Sequence, residues 1–407
     1  MNSLGFSLSL AAITLASLPL SPSPASAAPP SPATHAAPAT ARFELGANFN
    51  ESLEAARVPV LELTGVTWIR GFLPASEFID GPRRIDTDPG LDAFRKAAAS
   101  GRKIALTLKW DFAKSKTPTR VPAPDSPREK ACFDWAVAVA KSLRPDMLLL
   151  VNEVYIDTPA ADMKPARDGS IPMVVFLKRL AARVHAAALT APGGGALPVA
   201  CGGFTRINGK AMQANPATRA LLEWLADAPE ITHVDFHMHQ NTVDEFNDAL
   251  AYMRKALPKR RLVVSEFSVI HNYSLHVGDK IGATAAGRAF AQKYNLDPKQ
   301  TYADYLNAIA RKPVPEEQLR AMLASASWFD PKFLEKACAI MEKNGVVLAT
   351  YAYIQEAAGL RNPNRPMTVP WRLNPVFHDR DAYVPGSARL ATTPGFYETF
   401  VRYQKAR

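Results

Sequence analysis

The chain has 407 residues, 47% hydrophobic and 21% charged, with a formal net charge of +10 and a pI near 9.4. That composition excludes a disordered polyelectrolyte and leaves ample apolar material for a core. The positive residues are scattered, and the densest run, at 255–261, directly precedes an expected strand, so nucleic acid is not an expected partner.

Residues 4–20 are small and apolar and lead into Pro/Ser/Ala-rich sequence with Ala25-Ser26-Ala27. This resembles a secretory signal peptide over 1–27 with an A-x-A cleavage site, which makes a secreted or periplasmic protein the expectation. The alternative is a disordered cytoplasmic tail. Pro19 and Pro22 end the run too early for a bilayer span, so no stable membrane insertion is expected. Residues 28–41 read as a Pro/Ala-rich tether, and 42–407 as one domain. Cys132, Cys201 and Cys338 are too few and too scattered for a disulfide framework or a zinc cluster. One disulfide remains open, with Cys132 and Cys338 expected to be buried.

From residue 43 onward, strand and helix patterns alternate. Strands are expected at 43–49, 65–72, 103–110, 146–152, 197–201, 232–238, 261–266 and 346–354. Helices are expected at 50–63, 91–99, 127–143, 172–190, 217–226, 243–256 and 395–404. Eight strands separated by helices imply parallel pairing through right-handed crossovers, and a closed (β/α)8 TIM barrel fits better than an open sheet. The turn after the first strand, Gly46-Ala47-Asn48, is not a phosphate-binding fingerprint. Two segments exceed a minimal barrel: a helical insertion between strands seven and eight (275–343, about four helices) and a Pro-rich loop after strand eight (357–394). Both are expected beside the site.

A barrel gathers the carboxyl ends of its strands on one face, where active sites are built. Those ends carry Arg70, Asp111, Asn152-Glu153, Gly202-Gly203, His237-Met238-His239, Glu266 and Tyr351/Tyr353. The stretch Met147–Glu153 runs five apolar residues straight into an amide and a carboxylate; Arg261–Glu266 has the same build. Two carboxylates over one mouth suit glycosidic bond cleavage, in which one group protonates the leaving oxygen and the other attacks or activates water. Arg70 would keep one carboxylate ionised, and Asn152 could bond a sugar hydroxyl. Sugar faces stack on aromatic rings, which nominates Trp110, Tyr155 and Trp371. Other readings stand beside these. Glu153 could cap a helix, Glu266 could be a buried ion pair with Arg70, and His237 and His239 could hold a metal. Asp111, Asp157, Asp235 and Glu356 are competing carboxylates; Asp157 could contact substrate, Asp235 reads as structural, and Glu356 is the strongest rival to Glu266.

The set of strand ends resembles the glycoside hydrolases of clan A, retaining (β/α)8 enzymes, and is most similar to family 39 and its neighbours. Asn152-Glu153 after strand four, Glu266 after strand seven and Arg70 on strand two carry the likeness, together with the entry of strand five into Gly202-Gly203. The resemblance implies Glu153 as acid/base and Glu266 as nucleophile. Retention would place the two carboxyl groups about 5–5.5 Å apart. It also implies a carbohydrate partner with β-linked bonds and no metal or organic cofactor. His239 stands where the clan usually has Tyr. Its Trp after strand eight is missing, and Tyr353 or Trp371 is the expected replacement. A non-catalytic carbohydrate-binding barrel and a metal-dependent barrel hydrolase are the alternatives.

Overall fold

A computed structural model describes residues 42–114, 119–355 and 369–405. The expected leader and tether, Glu356 and the first part of the 357–394 loop lie outside the described residues. No described helix is long and apolar enough to cross a membrane.

The strands are β1 (Glu44–Asn48), β2 (Trp68–Pro74), β3 (Lys103–Lys109), β4 (Met147–Leu149), β5 (Val199–Phe204), β6 (His233–His239), β7 (Arg261–Ser268), the short β8 (Val314–Pro315), β9 (Val346–Ala352), β10 (Phe377–Tyr383) and β11 (Leu390–Thr392). Strands β1 to β7 pair in sequence order, all parallel, and β9 closes the ring between β7 and β1. This is the expected (β/α)8 barrel. Its lower interior is filled by Trp68, Ala105, Met147, Leu149, Ala200, Val263 and Leu348, a packed floor rather than a pore. Gly46 permits this filling, because a Cβ there would meet Trp68 and Thr350 at under 3 Å.

The surrounding helices start where the sequence supplies caps. Asp88 accepts from Leu91 N at 2.9 Å at the head of helix Pro89–Ala99, and Ser126 accepts from Glu129 N at 3.2 Å ahead of Pro127–Leu143. Each has Pro in its first turn, where no amide hydrogen is needed. The expected helix over 50–63 is instead a 3-10 turn at Leu53–Ala55 followed by a short helix at Val58–Glu62, with Pro59 at its start.

The insertion holds four helices, Ala285–Lys293, Tyr302–Arg311, Glu316–Ser325 and Phe333–Lys343, preceded by Ile270–His276. A second, small sheet was not expected from the sequence. β10 pairs antiparallel with β11 and parallel with β8, making a three-stranded sheet that joins the insertion to the segment after β9. All three cysteines are buried and free.

Candidate active site

Strand alternation decides which side chains enter the mouth. On β2 the inward residues above Trp68 are Arg70 and Phe72; on β3 they are Thr107 and Lys109. Arg70 is fully buried and every donor group of its guanidinium is used. Nη1 donates to Glu266 Oε1 at 2.5 Å and also reaches Asn48 Oδ1 (3.2 Å) and Asn50 Oδ1 (3.1 Å). Nη2 donates to Asn152 Oδ1 at 2.6 Å, and Nε to Thr107 Oγ1 at 3.0 Å. Asn48, Asn50 and Thr107 were not singled out from sequence; the alternation on β1 and β3 carried the signal.

Two irregularities shape the rest. The β6–β7 register slips between the pairs Asp235–Val263 and His237–Glu266, so β7 has one residue more than β6 over that stretch. The extra residue sends both Ser265 and Glu266 toward the site. Ser265 Oγ lies 3.0 Å from His237 Nε2 and donates to Asp235 Oδ2 at 2.8 Å. A matching slip on β5 between Cys201 and Phe204 coincides with Gly202 (φ 141°) and Gly203 (φ 56°). A Cβ on Gly203 would strike the Asn152 carbonyl oxygen, and one on Gly202 the Asp235 carbonyl oxygen. The glycine pair therefore lets β5 close against the two strands that carry Asn152 and His237.

Glu153 follows β4 and is the backbone N-cap of helix Val154–Asp157, but its side chain caps nothing. It turns into the mouth instead, with 17% of its side chain exposed. His237, fully buried, lies between the carboxylates: Nδ1 is 3.5 Å from Glu153 Oε1 and 3.7 Å from Glu266 Oε2. His239 Nε2 is 3.4 Å from Glu266 Oε2, and its Nδ1 is 2.8 Å from Ser268 Oγ. Asp157 sits behind this group, almost wholly buried. It accepts from Glu153 N (3.3 Å) and Asn152 Nδ2 (3.4 Å), so it orients the Asn-Glu pair and is not available to a substrate. Asp235 is buried beneath His237, the structural place expected of it. Asp111 accepts from Ser76 N at 3.2 Å and Ser76 Oγ at 2.5 Å, away from the mouth.

The charges are strongly coupled. Burial opposes ionisation of Glu266, but the cations of His237 and Arg70 outweigh it and hold this carboxyl well below the usual range. Burial likewise opposes a charged His237; Glu266, Asp235 and Glu153 overcome it and raise the imidazole to about 10. Glu153 is pulled down by its His237 contact against burial and against the charge of Glu266. The resting mouth thus sets ionised carboxylates against the His237 imidazolium and the Arg70 guanidinium.

Glu153, Glu266, Asn152, His239 and Trp371 line one cavity of about 370 Å³. Trp371 comes from the turn Pro370–Leu373 after β9. Its neighbour Arg372 anchors that turn by a buried ion pair with Asp381 on β10, where Gln355 also donates to Asp381 at 2.5 Å. The indole meets His239 edge to face, with ring centroids 5.2 Å apart.

Three aromatic expectations need correction. Trp110 is fully buried beneath the helices. It donates from Nε1 to Leu150 O at 2.7 Å and packs on Phe112, Trp135 and Phe176. Tyr353 is also fully buried outside the ring, its hydroxyl within 2.8 Å of Thr64 Oγ1 and donating to Val60 O at 3.0 Å. Tyr155 turns to Thr218, hydroxyl to hydroxyl at 2.5 Å, and its neighbour Ile156 faces the cavity instead. The insertion contributes Leu275 to an adjoining cavity, while its Trp328 packs on Tyr273, His276 and Tyr302.

Glu153, His237 and His239 present ligand atoms within 4.8 Å of one another, and buried His237 Nδ1 has no hydrogen-bond partner. Two imidazoles and a carboxylate are a donor set suited to zinc-class ions.

No family model matches the chain, and no curated protein matches it. Among solved structures it is similar to the exo-beta-1,4-mannosidase Op5Man5 from Opitutaceae bacterium strain TAV5. That match has 12% identity and a TM-score of 0.51, covering 89% of this chain and 59% of the mannosidase. It is also similar to a family 39 glycoside hydrolase from Bacteroides cellulosilyticus WH2 (11% identity, TM-score 0.49, 90% and 64% covered) and to a Thermobacillus composti GH10 xylanase (15%, 0.48, 89% and 97%). The chain spans about three fifths of the length of that mannosidase. What the chain shares with it is the barrel fold.

Proposed function

We propose that the chain is an exported retaining glycoside hydrolase acting on β-linked glycans. The observation that carries this reading is the unequal treatment of two carboxylates in one mouth. Glu266 is clamped by Arg70 and kept ionised, as a nucleophile must be. Glu153 touches only one ring nitrogen and keeps an open side toward the cavity. Both flank the same His237 nitrogen, at 3.5 and 3.7 Å, so those oxygens are at most about 7 Å apart. That proximity is compatible with the roughly 5–5.5 Å separation of a retaining pair.

In this mechanism Glu266 attacks the anomeric carbon while the leaving oxygen takes a proton from Glu153. Glu153 then removes a proton from water, which displaces Glu266 from the sugar. Because Glu153 rests ionised, it needs a proton source, and the His237 imidazolium 3.5 Å away is the adjacent one. Stripping water from the mouth as a sugar enters favours that transfer, since it penalises the charged carboxylate. The leader sequence supports export, and the mannosidase supports a β-linked substrate.

The test is a glycan-panel hydrolysis screen with product anomers followed by NMR, using Glu266→Ala as control. Hydrolysis of the true substrate that survives this substitution would overturn the mechanism, and an inverted product would overturn retention. A second reading, a metal-dependent hydrolase, is favoured by the Glu153–His237–His239 grouping. It requires stoichiometric metal in purified protein and loss of activity on chelation.

A further inference from the structure

We propose that the cleft is built for an anionic glycan, a β-linked polymer bearing uronate carboxylates, with Arg206 and Lys109 as the residues that read them. For cleavage this rests on the glycosidase reading; for binding it stands alone. The acidic side chains lining the 370 Å³ cavity are Glu153 and Glu266, both already faced by His237, with Arg70 bonded to Glu266. The rest of the charged wall is basic: Lys109, Lys114 and Arg206, with His239 and His271.

Of these cations Arg206 has no side-chain partner among the described residues, while Lys109 and Lys114 share the single buried carboxylate of Asp157. Arg206 is exposed at the cavity wall, and its guanidinium makes no hydrogen bond or ion pair among the described residues, which leaves it open to a ligand. Its backbone is held at φ 54°, in the left-handed region uncommon for a side chain of this size. Lys109 Nζ lies 4.3 Å from the centroid of the Phe72 ring, itself part of the wall. Lys114 is only loosely paired, 3.9 Å from Asp157. Lys109 and Lys114 stand on the β3 side of Glu153 and Arg206 on the β5 side, so they bracket the proposed proton donor. Burial first, then the neighbouring Arg206, press His271 below its ordinary value, with Glu245 acting against them.

The basic wall also continues beyond the cleavage point. Arg206, His239 and His271 are shared with a second cavity of about 510 Å³. Its one acid, Glu245, is occupied by Asn241, which donates to it from the backbone and side-chain nitrogens at 3.2 Å. A guanidinium binds a planar carboxylate through paired hydrogen bonds, and a lysine supplies a point charge. A neutral glycan would offer neither cation a charged partner.

The experiment measures binding by calorimetry at low ionic strength to full-length Glu266→Gln protein, which the proposed mechanism leaves unable to cut. The probes are two matched pairs: β-1,4-glucuronate hexamer against cellohexaose, and β-1,4-mannuronate hexamer against mannohexaose. Members of a pair share backbone and linkage and differ in the carboxylates. The acidic member of at least one pair should bind about tenfold more tightly. Adding Arg206→Ala and Lys109→Ala should shrink that preference to about threefold or less. The control is Lys141→Ala with Lys255→Ala, in the last turns of helices Pro127–Leu143 and Asp244–Ala256, at the opposite end of the barrel. It removes the same charge and should leave the preference intact. Equal or tighter binding of both neutral members overturns the proposal. So does failure of both acidic members to bind, or an equal loss in the control pair. Cleavage of a neutral glycan that depends on Glu266, without acidic preference, would sink this proposal and spare the glycosidase reading. Acidic hexamers that bind yet stay intact with unmodified enzyme would do the reverse.

Discussion

Replacing Arg70 with Met keeps most of the side-chain volume and removes the charge that faces Glu266. The carboxylate is then left buried with its closest cation gone, and breaking such a pair by deleting one partner costs about 3–5 kcal/mol. The loss should depend on pH. In the native protein Glu266 sits below its ordinary value of 4.5, so its contribution is present above that value and fades as pH falls through the native pKa. Without Arg70 the folded carboxyl titrates higher than in the native protein, so the variant takes up its proton first. The gap between the two proteins therefore narrows as pH falls toward the native pKa, by at most about 1.4 kcal/mol per pH unit for one proton. His237 and His239 face Glu266 in both proteins and remain in place. Urea unfolding of both proteins at several pH values measures the gap between them. A neutral-pH gap under about 1 kcal/mol, or one that does not narrow on acidification, would show that Arg70 is not the counterion that keeps Glu266 charged.

Other substitutions separate scaffold from site. Trp110→Phe orphans the buried Leu150 carbonyl and should cost about 1–3 kcal/mol in urea unfolding while KM stays unchanged. Trp371→Ala should instead raise KM about tenfold if the loss is one stacking contact of about 1 kcal/mol or slightly more, visible in initial-rate kinetics. His237→Gln should flatten stability between pH 6.5 and 10: a histidine raised to about 10 contributes fully below its unfolded value of 6.5 and loses that contribution as pH rises. The same variant removes the largest charge that holds Glu266 down, so the acidic limb of the pH–rate profile, where the nucleophile takes up its proton, should move toward neutrality. Gly203→Ala forces a Cβ into the Asn152 carbonyl at a positive φ and should destabilise the fold by about 2 kcal/mol or more, read as a lower unfolding midpoint.

Strand order and the residues at strand ends were legible because a buried parallel strand is a short apolar run that stops where the chain meets the mouth. Arg70, Asn152, Glu153, His237, His239 and Glu266 lie together at those strand ends, and Trp371 joins them from the turn after β9. The aromatic errors share one cause, which is parity. Thr107 and Lys109 point inward on β3, so Trp110 must point out; Leu348 and Thr350 do so on β9, so Tyr353 must also turn away. Applying the two-residue period past the strand ends would have exchanged Trp110 for Lys109. Two features were beyond that rule. The extra residue in β7 breaks the period where Ser265 and Glu266 both reach the site, and bulges leave no compositional mark except where glycine is required, as at Gly202-Gly203. The sheet of β8, β10 and β11 brings a two-residue strand to a partner far away in sequence, with no local pattern to announce it.

The guanidinium of Arg70 binds side chains from the ends of β1, β3, β4 and β7, and the farthest of these are separated by most of the barrel sequence. Such a hub has no partial version. A half-barrel released by proteolysis, or a nascent chain that has not yet reached β7, lacks the carboxylate that the hub must neutralise. Before that point the arginine has no reason to leave water. Assembly of this charged cluster therefore waits for β7, and recovery of catalytic competence during refolding would serve as a clock for its docking.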